Sequence, residues 1–380
     1  MKRALLLLMA LLVVAGCSST PTRELPADSL EDTREGLTVE TVWRANAGSG
    51  VHAPGDALDP VVVDGTVFVV DRRGRLSAYD LETGDRLWRE SLGTPVSAGP
   101  AVSDELVVVA SRKGKVIGID RRTRETLWVS GVTSEVLAMP LISSDTVVVQ
   151  AADGRVFGLR TDTGSRRWIH DRSMPPLTLR GGADPRAVGS RILVGLPNGR
   201  LVSLSRSQGR EQWDAQVGEP RGSSDLERMR DVAGRFVILR GEIYAAAYQG
   251  EVAALNLQDG RSSWRRELSS SQGVAADSER VYVTESNGRL WALDRSSGAA
   301  IWRLDQTEGL VATAPVVVGD VVVFGDTQGR LTWVDARDGE LLARTRHHRA
   351  GFSRPAVTAD GDVLVLSDGG RLLRLSISRP

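Results

Sequence analysis

Residues Gly74 to Trp88 read G-R-L-S-A-Y-D-L-E-T-G-D-R-L-W. Seven further copies open at Gly114, Gly154, Gly199, Gly250, Gly288, Gly329 and Gly370. Six residues after each leading glycine stands Asp80, Asp120, Arg160, Ser205, Asn256, Asp294, Asp335 or Ser376. Four further on come Gly84, Arg124, Gly164, Gly209, Gly260, Gly298 and Gly339. Four beyond those come Trp88, Trp128, Trp168, Trp213, Trp264 and Trp302, with Ala343 breaking the series. Copies spaced by about 40 residues with their internal distances kept are the mark of a repeat architecture.

The residues before and within one copy predict four strands. Val61-Val62-Val63 is a short apolar run, and Asp64-Gly65 is a hairpin turn signal. Thr66 to Val70 is β-branched and aromatic, hence a second strand. Arg75 to Tyr79 alternates polar and apolar, a third strand. At Asp80 to Gly84 the aspartate can cap backbone amides and glycine accepts positive φ; Arg86-Leu87-Trp88 then forms a fourth strand. Four antiparallel strands per repeat make a propeller blade. Later blades are expected to begin near Pro100, Pro140, Ala187, Ala233, Val274, Pro315 and Pro355.

The last copy stops at Pro380 without a fourth strand, whereas Trp43 near the amino terminus has no three strands before it. An amino-terminal strand that completes the last blade leaves no open edge across the ring seam. The expected fold is therefore all-β: an eight-bladed β-propeller of four-stranded antiparallel blades, closed by the amino-terminal strand. A ring of seven would need one copy to lie outside it.

The chain has 380 residues, 25% of them charged, with a formal net charge of zero. A nucleic-acid binder would need a basic excess. Cys17 is the only cysteine, so no intrachain disulfide can form. Lys2 and Arg3 precede an apolar run from Ala4 to Ala15, too short to span a bilayer but of the length of a signal-peptide core. Val14-Ala15-Gly16-Cys17 resembles a bacterial lipobox, with small residues at the two positions before the cysteine. That resemblance implies cleavage before Cys17 and acylation of it; several acyl chains make a lasting anchor. Ser18, in place of an aspartate, is expected to direct the protein to the outer membrane. The expected organisation is a signal peptide over 1–17, a polar tether over 18–37 with a reach on the order of 25 Å, and the propeller over 38–380.

Few residues carry candidate chemistry. His52, His170, His347 and His348 read as polar loop residues, and the adjacent pair would face opposite ways on a strand. Gly48-Ser49-Gly50 lies outside any strand–helix context that a phosphate loop requires. The repeat aspartates read as turn caps and the tryptophans as packing between blades. The position after each leading glycine holds Arg75, Lys115, Arg155, Arg200, Glu251, Arg289, Arg330 and Arg371, which reads first as a solvated rim.

The connections between blades are more informative. Trp168 to Ala187 and Trp213 to Ala233 are longer than Trp88 to Pro100 or Trp128 to Pro140. They follow consecutive blades at equivalent positions, so they are expected side by side on one face. The first contains Met174-Pro175-Pro176-Leu177-Thr178-Leu179-Arg180-Gly181, apolar side chains beside an arginine, a composition suited to binding. The second contains Asp225-Leu226-Glu227-Arg228-Met229-Arg230-Asp231, which brings carboxylates near that arginine.

Lipobox, tether and eight D-x-x-T-G-x-x-x-W blades together resemble the BamB family, lipoprotein subunits of the bacterial outer-membrane β-barrel assembly (BAM) machinery. The resemblance covers essentially the whole chain. It implies a non-catalytic scaffold, with no cofactor, that docks on the POTRA domains of the central barrel subunit, BamA, and assists delivery of unfolded outer-membrane proteins. Leu177-Thr178-Leu179-Arg180-Gly181 is similar to the family's docking motif, which makes Leu177, Leu179 and Arg180 the contact candidates. The family's second loop carries two aspartates flanking a valine; here Asp231 and Val232 match, and Ala233 replaces the second aspartate. Two other readings remain: a periplasmic propeller with some other partner, and a quinone-dependent dehydrogenase. Those dehydrogenases share the blade signature but typically use an adjacent cysteine pair and calcium, and no cysteine follows Cys17.

Overall fold

The computed structural model describes residues 36–50, 56–172, 174–179, 181–219, 222–232 and 234–379. The lipobox, Cys17 and most of the tether lie outside the described residues, as do His52, Arg180 and Ala233. The described strands form eight four-stranded antiparallel sheets. Blades 1 to 7 span 61–91, 98–131, 141–170, 186–216, 237–267, 274–304 and 316–346; blade 8 combines 356–378 with 38–46. The first strands of neighbouring blades touch one another and line the ring axis, and the fourth strands form the outer edge.

Blade 1 shows why this sequence folds this way. Asp64 and Gly65 both take positive φ, 48° and 68°, the geometry of a tight two-residue hairpin. In the second and third strands, Phe68, Val70, Leu76 and Ala78 pack with Val107, Val109 and Ile117 of blade 2. Val67, Val69 and Tyr79 pack the other way, with Leu364, Leu366 and Leu372 of blade 8. Each middle strand is thus buried on both faces. The alternation expected for the third strand does not translate into a solvated face: Ser77 is fully buried.

The signature residues are a clasp between blades. Asp80 Oδ1 accepts the backbone N–H groups of Glu82 and Thr83 at 2.9 and 2.8 Å. Gly84 then turns with φ 74°, and the Trp43 ring of the preceding blade lies on it, 2.5 Å from where a Cβ would stand. The indole N–H of the tryptophan donates to a carbonyl of that same turn. The pairs are Trp43 with Leu81 (2.8 Å), Trp128 with Thr161 (2.8 Å), Trp168 with Arg206 (2.8 Å), Trp213 with Leu257 (3.1 Å), Trp264 with Arg295 (2.9 Å) and Trp302 with Ala336 (3.0 Å). Trp88 stands apart. The next turn offers it Arg124 (φ 69°) instead of glycine, and Trp88 stays half-buried, edge-on to Phe68.

In blades 1 to 6 the residue on the third strand opposite the tryptophan is small: Ala78, Gly118, Gly158, Ser203, Ala254 or Ala292. Blade 7 inverts the pair, with Trp333 on the third strand facing Ala343 on the fourth. This explains the break in the series, because the large ring has changed strands. Blade 8 closes as expected: Thr38–Asn46 pairs antiparallel with Arg371–Ser378, and Trp43 faces Arg374. One expected boundary moves. Blade 5 begins at Val237 rather than near Ala233, because Gly234 and Arg235 run against the segment leading into blade 6. Arg235 N–H donates to Gln272 O at 3.2 Å and Arg235 O accepts from Val274 at 2.8 Å.

Candidate partner-binding site

The two long connections lie on the face that carries the leading-glycine turns, and each is seated on one of them. A Cβ at Gly154 would stand 2.2 Å from Met174 Cγ in the first loop. At Gly199 it would stand 2.4 Å from Gly218 O and 2.9 Å from Arg230 O in the second. The loops meet over blade 4. Gly195 is wedged between them, its missing Cβ 2.7 Å from both Ala183 Cβ and Val232 Cγ1. The two insertions are therefore neighbours on one face, as expected from their equivalent positions after consecutive blades.

Between the anchors Met174 and Ala183 the first loop rises to the surface. Leu177 is 46% exposed, whereas Thr178 and Leu179 are half-buried. The Leu179 backbone N–H lies by the Asp231 carboxyl and draws its pKa down, and Asp231 Oδ2 has no hydrogen-bond partner among the described residues. Asp231 itself is 2% exposed. Burial pushes its carboxyl up to about 7, against the opposing pull of the Leu179 N–H. This places Asp231 beneath the first loop as a strut, with its carboxylate withheld from the surface. The cause is its neighbour: Val232 enters the core beside Ala183 and Phe236, and Val232 N–H donates to Leu196 O at 3.2 Å. Asp231 O accepts from Tyr248 at 2.9 Å.

The second loop contributes a residue that the sequence argument did not single out. Leu226 is 60% exposed on a short turn built by Ser224 and Glu227. Glu227 Oε2 accepts the N–H groups of Ser223 and Ser224 at 2.8 and 3.1 Å, and Glu227 N–H donates to Ser224 Oγ at 3.2 Å. The backbone N–H groups of Ser224 and Ser223 hold the Glu227 carboxyl down to about 2. The Ser-x-x-Glu spacing was the available signal. Arg230 fixes the loop base, donating to Glu219 O (3.1 Å), Glu227 O (2.7 Å), Met229 O (3.0 Å) and Gln249 Oε1 (3.0 Å).

The other candidates resolve into structure. Arg75, Arg155, Arg200 and Arg289 on the rim each pair with a carboxylate, which offsets much of the charge of that row. His348 Nδ1 accepts the Ala350 N–H at 3.0 Å and His347 Nε2 bonds Thr345 Oγ1 at 2.8 Å. His170 corrects the loop reading: it ends the fourth strand of blade 3, and burial lowers its pKa. Among the described residues no group of three or more His, Cys, Asp or Glu is placed to hold a metal ion.

The chain matches the family described as outer membrane protein assembly factor BamB over residues 36–90 and 72–304. It is 55% identical over 377 residues to the outer membrane protein assembly factor BamB of Alkalilimnicola ehrlichii, covering 99% of this chain and 97% of that one. It is 42% identical over 376 residues to the protein of that name from Pseudomonas aeruginosa, covering 99% of both. The crystal structure of BamB from Moraxella catarrhalis superposes with a TM-score of 0.82 at 24% identity, over 89% of this chain and all of that one. Eight blades with six clasped junctions, ring closure through Trp43 and identity to these relatives over nearly the whole chain place this chain in the BamB family.

Proposed function

We propose that this chain is an outer-membrane protein assembly factor that works as a scaffold, docking on the POTRA domains of BamA through the paired loops. It is an assembly factor and not an enzyme. One observation carries the docking surface: the first loop exposes Leu177 to solvent while its backbone at Leu179 runs against the buried Asp231 carboxyl. An apolar contact held on a fixed backbone loses little conformational entropy on binding. Leu177, Leu179 and Arg180 are the contact residues, Leu226 adds a second apolar point, and Asp231 is a positioning residue. Unfolded outer-membrane proteins are further candidate ligands of the assembled complex. Co-purification with the BamA periplasmic region tests the site. Retention by wild type and loss in Leu179→Ala/Arg180→Ala support it. Equal retention by the variant removes the site, and no retention at all leaves a periplasmic propeller with another partner.

We further propose that Cys17 is acylated and that the propeller hangs from the outer membrane into the periplasm, held by that anchor alone. Incorporation of labelled palmitate by wild type and not by Cys17→Ala is the expected result. Equal labelling of the two contradicts the anchor.

A further inference from the structure

The ring axis is closed near one end by charge. Arg354, just before the first strand of blade 8, bonds Asp59 at the start of blade 1 and Asp184 Oδ2 at the start of blade 4, the latter at 2.7 Å. Asp184 Oδ1 also accepts the Met139 N–H at 3.0 Å. Both carboxylates are thus engaged by Arg354. Two more guanidiniums, Arg186 and Arg235, reach the same end of the axis. They line a cavity of about 590 Å³ whose walls come from the first strands of blades 4 to 8, with Phe236, Val274, Val316 and Val357 among them. Neither arginine side chain has an ion pair or hydrogen bond among the described residues.

The cluster holds three guanidiniums against two carboxylates, in a half-buried setting with apolar walls. An unpaired charge withdrawn from water is costly, and an oxyanion held by two guanidiniums removes the imbalance. The cavity has the volume of a small-molecule site. We propose that it binds a carboxylate or phosphate carried on a compact apolar body, with Arg186 and Arg235 holding the oxyanion and the valine-rich first strands holding the body. The state of both arginines agrees. Burial, with repulsion from Arg186 and Arg354, pushes Arg235 down to about 10. Burial and Arg354 likewise lower Arg186 against the pull of Asp184. A bound anion reverses both repulsions.

Calorimetric titration of the purified full-length protein with 1-naphthoate, 1-naphthyl phosphate and 1-naphthol tests this. The three share a body and differ in charge, and the two anions separate carboxylate from phosphate. The expected result is one-site binding of at least one anion, tenfold or more tighter than naphthol. Arg186→Gln or Arg235→Gln should weaken that binding at least tenfold, with circular dichroism unchanged. Failure of both anions to saturate, equal binding of naphthol, or undiminished binding by the double variant overturns the proposal. Should the glutamine variants not fold, Arg186→Lys and Arg235→Lys give the answer: they keep the charge and lose the planar fork, so affinity falls severalfold, and unchanged affinity overturns the site.

Discussion

Asp231 and Leu179 bring the two long loops together: the buried Asp231 carboxyl lies by the Leu179 backbone N–H, two residues beyond the exposed Leu177. The carboxylate carries a cost, because burial raises its pKa from the ordinary 3.8 to about 7. A group whose folded pKa lies above its unfolded one contributes stability that is complete below the unfolded value and lost as pH rises through the folded one. Denaturant unfolding between pH 4 and 8 should therefore show wild type losing roughly a few kcal/mol relative to Asp231→Asn across that window. A difference that stays constant with pH contradicts the assignment.

Gly195 has room for no side chain between Ala183 and Val232. Gly195→Ala should cost about 1–3 kcal/mol through overpacking and push the loops apart. Leu177→Ala, at a largely exposed side chain, should leave the unfolding midpoint unchanged. Equal midpoints for the two variants would show that the loops are not wedged at blade 4.

The clasp predicts unequal costs for chemically identical substitutions. Trp168 lies on Gly209 and bonds Arg206 O, so Trp168→Ala should cost about 3–5 kcal/mol. The turn that follows Trp88 has Arg124 in place of glycine, and Trp88 stays half-buried, so Trp88→Ala should cost less than half as much. Equilibrium unfolding in urea measures both, and equal losses contradict the clasp.

Trp333 and Ala343 exchange the sizes found in the other blades. Trp333→Ala should destabilise the ring, and Ala343→Trp alone should overpack it. The double variant should be more stable than the two single losses predict, a coupling on the order of 1 kcal/mol or more. Recovery should be partial, since Trp333 Nε1 gives up its bond to Thr345 Oγ1. Strict additivity would show that the two positions do not share one space.

The ring was legible because a propeller repeats its chemistry in sequence. Turn aspartates, positive-φ glycines and clasping tryptophans return in one register, and the unfinished copy at Gly370 located the seam at Trp43. The loop pair was legible from length alone. The role of Asp231 was not, because its burial follows from where Val232 enters the core, which spacing does not set. The axial cluster was hidden for another reason. Asp59, Asp184 and Arg354 each precede a proline at the start of a first strand, but the partners come from blades 1, 4 and 8, and a linear period does not say which blades face one another across an axis. Trp333 was not legible because the tryptophan series runs along the fourth strands, and the compensating ring of blade 7 lies on the third.

Affinity for the BamA periplasmic region tests the central claim most directly, measured by titration with wild type, Leu177→Ala/Leu179→Ala and Asp231→Ala. Truncating two apolar contacts at a docking centre should weaken binding by at least tenfold, about 1.4 kcal/mol or more. Asp231→Ala should weaken it through loss of the strut while Leu177 and Leu179 stay in place. Wild-type affinity in the double leucine variant, with the fold intact, would contradict the assignment of the paired loops as the docking site.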